Sequence, residues 1–257
     1  KKFLIITLYK KNKSNFLLIE TEVDGHYLIL YLKFIIRILN KEKFNIFLIT
    51  SNKAKNHSSI DSLMKECPHL NIVYLNTPQL KLHSNLSLIC YQIKLYFLIK
   101  KQFRKLSKNL FFDYIFINSI DHFEKALAIF GDPFQKVPFS GIYVNPKFHM
   151  KEVGFIKVGR FNFLSKILFF KLLTIKNLDI IFTNDIYFVD YIKNKYSKLL
   201  KKITFLFEPR EFVRAPFYNQ AKKKLNLPLK CFNVLVYGSL KKTKGIHNLL
   251  NIFNTVH

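Results

Sequence analysis

The residues best suited to chemistry lie in one run near the end of the chain, Phe232-Asn233-Val234-Leu235-Val236-Tyr237-Gly238-Ser239-Leu240-Lys241-Lys242-Thr243-Lys244-Gly245-Ile246. The apolar, β-branched segment reads as a buried strand. It stops at Gly238, crosses a cationic loop and restarts at Gly245, with Leu249, Leu250, Ile252 and Phe253 at helical spacing. Strand, glycine turn, lysine and helix start together make a cradle for an anion. Free amides and the helix dipole face the ligand, and Lys244 adds a full charge. The plainer reading of Lys244 is a solvated loop residue beside Lys241 and Lys242. His257 ends the chain about one turn past Phe253, so an incomplete second domain is expected.

Histidines are the second set. Imidazole titrates near neutral pH and can orient or deprotonate a hydroxyl. His26 follows Gly25 at the exit of the first strand, and His149 follows the fifth. Each also fits a helix start or a packing role. Asn118-Ser119-Ile120-Asp121-His122 forms the exit of the fourth strand, where a helix cap by Asp121 explains the Asp-His pair as well as chemistry does. Asp185 is expected to cap the helix that starts at Ile186.

Other chemistries lack their residues. Only 16 acids are present, and none forms the paired arrangement of a two-carboxylate hydrolase. There is no phosphate-binding Gly-x4-Gly-Lys-Ser/Thr loop and no nucleophile elbow. No Asp-x-Asp pair suggests a metal, so neither metal nor cofactor is expected. Cys67, Cys90 and Cys231 are widely spaced, which argues against a disulfide framework or zinc site and for a reducing, cytoplasmic compartment.

The elements that must position these residues alternate. Strand patterns occupy 3–8, 44–50, 71–75, 113–118, 139–144, 179–183 and 203–207. Helical patterns occupy 26–39, 60–66, 86–106, 121–130, 161–175 and 186–195. Strands separated by helices imply βαβ units and a doubly wound parallel sheet, an α/β class. In such sheets ligands sit beyond the carboxyl ends of the strands, so the strand exits are the places to search. Pro209, Pro216 and Pro228 mark a linker over 208–229, with a charged helix at 221–224. A first domain therefore spans 1–207, and 230–257 begins a second.

The chain has 257 residues, 49% of them hydrophobic, enough for a sizeable core. The net charge of +26 has two readings. One is an anionic partner such as a lipid surface or a diphosphate. The other is AT-rich codon usage, which raises Lys, Asn, Ile, Phe and Tyr together. Only five of the 42 basic residues are Arg, which argues against specific nucleic-acid reading. No segment has the roughly 18 uninterrupted apolar residues of a membrane span. The nearest, 86–99 and 161–175, are broken by Gln92 and Lys94 and by Lys166 and Lys171. The stretch 160–176 reads either as a basic amphipathic helix on anionic lipid or as an internal helix with snorkelling lysines.

In this order the pieces resemble the retaining GT-B glycosyltransferases of family 4. Gly25-His26-Tyr27 resembles the family's glycine-histidine opening of the first helix. Phe139-Ser140-Gly141-Ile142-Tyr143-Val144-Asn145-Pro146-Lys147-Phe148-His149 resembles a segment of one bacterial subgroup, and 237–253 the opening of the donor domain. The resemblance implies a Rossmann-like acceptor-side domain followed by the first βα unit of a donor domain. It also implies sugar transfer from a nucleotide diphosphate with retained configuration, to a glycan or lipid-linked acceptor; the charge and the stretch 160–176 separately suggest an anionic membrane surface as a peripheral partner. Lys244 matches the lysine on the diphosphate, and Gly238 and Gly245 the glycines beside it. Ser239 stands where many members carry arginine. His26 and His149 match residues facing the reaction centre, and Gly25 and Asn118 fall on the acceptor side. The family's paired-glutamate motif lies beyond the end of this chain. The alternatives are a non-catalytic or split-gene fragment that needs a partner chain, and a basic membrane- or nucleic-acid-binding protein.

Overall fold

The computed structural model describes residues 14–23, 31–78, 85–150, 152, 154, 162–209, 217–228 and 250–252. The chain divides into two compact units, 1–210 and 211–257. Among the described residues of the first unit, seven strands form one sheet in the order β3-β2-β1-β4-β5-β6-β7, and every neighbouring pair runs parallel. In chain order they are β1 (Asn15–Glu20), β2 (Asn45–Ser51), β3 (Asn71–Leu75), β4 (Tyr114–Ile117), β5 (Phe139–Ile142), β6 (Leu178–Thr183) and β7 (Ile203–Phe205). The helices are α1 (Lys33–Lys41), α2 (Ser58–Glu66), α3 (Asn85–Leu106), α4 (Glu124–Phe130), α5 (Asn162–Leu173) and α6 (Ile186–Lys195). In the second unit, α7 spans Tyr218–Lys224.

The period-2 rule of a strand decides which side chain faces which layer. Leu17, Ile19, Ile115 and Ile117 point to the layer made by α3, α4, α5 and α6. Phe16, Leu18, Tyr114 and Phe116 point to the layer made by α1 and α2. Both faces are covered, so the central strands are apolar throughout. The phenylalanine surplus fills the first layer. Tyr143 stacks on Phe169 at 5.2 Å, and Phe188 meets Phe148 and Phe169 edge-on at 5.3 and 5.4 Å. Gly141 in β5 is required by space: a Cβ there would lie 2.8 Å from the Ile117 carbonyl oxygen.

The pattern is clear where a run is long and apolar; β3 and α6 match their expected bounds. The expected strands at 3–8 and 232–236 lie outside the described residues. The first strand described is Asn15–Glu20, an interior strand whose pattern is weak in the sequence because polar residues bracket its four apolar ones. The helix expected from 121 begins at Glu124, after a single tight turn at Ile120–His122. Asp121 does not cap it: the Asp121 carboxylate accepts from the Val144 and Asn145 amides, both at 2.8 Å. The neighbouring β5 loop claims the oxygens that a cap would have used.

Candidate functional site

Strand order in the sheet reverses between β1 and β4, and the polar residues gather at the carboxyl ends of these two strands. Glu20 ends β1 and is 1% exposed. Its Oε2 accepts from Asn118 Nδ2 and Ser119 Oγ, each at 2.6 Å, and its Oε1 accepts from the Glu22 amide at 2.8 Å. Burial pushes the Glu20 carboxyl up to about 7, against the pull of the Ser119, Asn118 and Glu22 donors. The β1 exit is thereby tied to the β4 exit by a buried acid.

A second tie lies nearer the surface. His122 Nε2 sits 3.8 Å from Glu22 Oε2, and both side chains are partly exposed. Burial pushes the His122 imidazole down, against the raising charges of Glu22 and Glu124. Tyr91 on α3 meets the His122 ring edge-on at 6.4 Å. Gln92, one position on and fully buried, donates to the Asp121 carbonyl at 2.8 Å and accepts from the Lys125 amide at 2.8 Å. The amide that interrupts the apolar run 86–99 therefore fixes the β4 exit turn. Burial also pushes Asp121 up to about 7, with the Glu124 charge adding to it and the Val144 and Asn145 amides opposing it. The segment from Asn118 to Lys125 is thus held from the β1 exit, from α3 and from the β5 exit.

His149 occupies the third exit. It is 1% exposed, and its Nε2 lies 3.1 Å from Asp185 Oδ2. Its ring packs against Phe188 and Tyr191 at 5.2 and 6.0 Å. Asp185 also caps α6 as expected, with Oδ1 accepting from the Phe188 amide at 3.0 Å. Burial pushes the Asp185 carboxyl up, but the His149 N–H and the helix amides outweigh it and the net shift is down.

Among the expected site residues, Asn118 and His149 are therefore both buried and hydrogen-bonded, one to Glu20 and the other to Asp185. They stand at the β4 and β5 exits. Gly25, His26, Gly238, Ser239, Lys244 and Gly245 lie outside the described residues. Sequence reading misses Glu20, Glu22 and Gln92. The available signal is an acid closing a short apolar run and an amide inside a helix that is otherwise apolar. Chemically, Glu22 and His122 set a carboxylate and an imidazole 3.8 Å apart at the partly exposed rim, while Glu20 ties together the β1 and β4 exits beside them. Among the described residues no group of three or more His, Cys, Asp or Glu side chains could hold a metal ion, and no helix is long and apolar enough to cross a membrane.

No protein-family model and no curated protein matches the chain. Solved structures do. Sucrose-phosphate synthase from Thermosynechococcus elongatus superposes with a TM-score of 0.66 at 15% identity, covering 95% of this chain and 60% of that one. UGT89C1 of Arabidopsis thaliana, complexed with UDP, gives 0.54 at 16% identity, covering 93% and 63%. UGT2 of Phytolacca americana, complexed with UDP-2fluoro-glucose and pterostilbene, gives 0.52 at 10% identity, covering 79% and 56%. The chain thus spans about three-fifths of the length of these neighbours. At these identities the likeness is one of fold: this chain has the doubly wound, Rossmann-like α/β fold of the GT-B glycosyltransferases.

Proposed function

We propose that this chain is the acceptor-side part of a GT-B glycosyltransferase, with the opening of its donor domain. In this reading it moves a sugar from a nucleotide diphosphate to a glycan or lipid-linked acceptor. The observation that carries the reading is the polar cluster of Glu20, Glu22, Asn118, Ser119 and His122 at the β1/β4 reversal of a GT-B-like sheet.

Each residue then has a role. Gly238, Ser239 and Gly245 offer backbone amides to the diphosphate, and Lys244 neutralises the charge that develops as it departs. Gly25 and His26 match, by the resemblance, the loop that faces the reacting sugar. Glu22 and His122 face the acceptor hydroxyl, and Asn118 shapes that side through Glu20. His149, with Nε2 committed to Asp185, sets the β5 exit that borders the sugar. Retention of configuration follows the family 4 resemblance of the glycine-lysine turn and the Ser140–His149 segment.

Calorimetric titration of a panel of nucleotide diphosphate sugars into the 257-residue chain tests the reading. Saturable binding of at least one is expected, weakened roughly tenfold by Lys244→Ala, about the loss of one charged hydrogen bond. An absence of binding across the panel, or an affinity indifferent to Lys244→Ala, overturns it.

A further inference from the structure

The outer face of α3 carries a feature that the transferase reading does not use. Between Asn85 and Phe112 the sequence holds six cations and no carboxylate. At 100° per residue, Lys94, Phe97, Lys101 and Arg104 follow one another at i+3 and i+4 and form a single stripe, and Lys108 stands in the turn just past the end of the helix. All five are exposed. The opposite side of the same helix, including Tyr96, Ile99 and Phe103, is buried in the core. The helical stripe, from residue 94 to 104, is about 15 Å long.

Two apolar rings project from this cationic surface. Phe97 is 50% exposed and Phe130, at the end of α4, is 43% exposed, and their ring centroids are 5.2 Å apart. Ile129, the residue before Phe130, is also exposed. Phe97, Lys101, Arg104 and Lys108 share one groove of about 710 Å³. Codon bias accounts for many lysines. It does not account for their collection on one helix face around a pair of exposed rings, on a segment that holds no carboxylate.

We propose that this α3–α4 face docks on an anionic lipid surface. The cations meet the headgroups, and Phe97, Ile129 and Phe130 enter the interface between headgroup and acyl chain. A nucleic acid is the poorer fit, because only one of the six cations is an arginine and the apolar group is aliphatic as well as aromatic. The helix whose sequence pattern suggests this role, α5, is less suited. Its Lys166 is turned onto the Tyr191 and Tyr196 rings, at 5.8 and 5.2 Å, rather than outward. This proposal stands apart from the transferase reading and survives its failure.

The test is co-sedimentation of the full chain with vesicles. One set is about one-third phosphatidylglycerol in phosphatidylcholine, and the other is phosphatidylcholine alone. We expect binding to the anionic set, reduced at least tenfold by the triple substitution Lys101→Glu, Arg104→Glu and Lys108→Glu, and severalfold by Phe97→Ser. The control triple Lys41→Glu, Lys53→Glu and Lys65→Glu changes net charge equally on the α1–α2 side and should leave binding within about twofold. Circular dichroism confirms that each variant is folded. Equal losses from both triples would reduce the effect to net charge and overturn the proposal. So would the absence of anionic-vesicle binding, or tighter binding of a single-stranded oligonucleotide than of vesicles at the same salt.

Discussion

Glu20 and Asn118 are 98 positions apart in the chain and meet at 2.6 Å, the amide of one donating to the buried carboxylate of the other. This bond joins the exits of β1 and β4, the two strands between which the sheet reverses its order. Burial raises the folded pKa of the acid from 4.5 to about 7 against the pull of this bond, so the buried carboxyl carries a pH dependence. A carboxyl whose pKa is higher in the folded state keeps a proton that the unfolded chain has released. Its contribution is therefore full below about pH 4.5 and declines as pH rises through 7. The shift corresponds to about 3 kcal/mol. Glu20→Gln cannot titrate. The stability difference, wild type minus variant, should fall by about that amount between pH 5 and pH 8 in urea unfolding. A difference independent of pH would contradict the assignment.

The His149–Asp185 pair joins a strand exit to a helix start. Removing the carboxylate with Asp185→Ala takes away the α6 cap, about 1 kcal/mol, and leaves a buried imidazole N–H without its acceptor, about 1–3 kcal/mol more. Asp185→Asn keeps an oxygen for the Phe188 amide but turns an amide NH2 towards His149, so its loss should be smaller by about the 1 kcal/mol of the cap. Chemical denaturation of the two variants decides it, and equal losses would show that the cap is not what Asp185 supplies.

Gln92 is predicted to be structural at a distance. Gln92→Leu keeps the volume but leaves the Asp121 carbonyl and the Lys125 amide unbonded inside the protein. A loss of about 2–4 kcal/mol is expected. Faster amide exchange over Asn118–Lys125 should accompany it. Stability loss without faster exchange in that segment would deny Gln92 its role in holding the turn.

Gly141 offers a steric test. An added methyl would press on the Ile117 carbonyl oxygen at 2.8 Å and on Ile120 at 3.1 Å, neither of which can swing away. Gly141→Ala should cost about 1–3 kcal/mol through overpacking. A neutral substitution, measured by thermal unfolding, would mean that the β4–β5 spacing relaxes easily.

Much of this architecture is legible in residue patterns, and what escapes does so for physical reasons. The apolar run of β3 and the amphipathic turns of α6 depend on local sequence, so their bounds can be read directly. β1 depends on its neighbours: Phe16–Ile19 is short, and its place between β2 and β4 makes it an interior strand. The site is less legible still. Glu20 takes its character from Asn118 and Ser119, and Asp121 from Val144 and Asn145, partners that no local window contains. Asp185 can be assigned as a cap because its partner is three residues away.

The most direct test of the transferase account is hydrogen–deuterium exchange of the chain with and without a saturating nucleotide diphosphate sugar. The account predicts slowed exchange in peptides covering 238–246 and in those covering Asn118–His122, with the rest of the sheet unchanged. Ligand-dependent protection confined to other segments, or none at all, would contradict it.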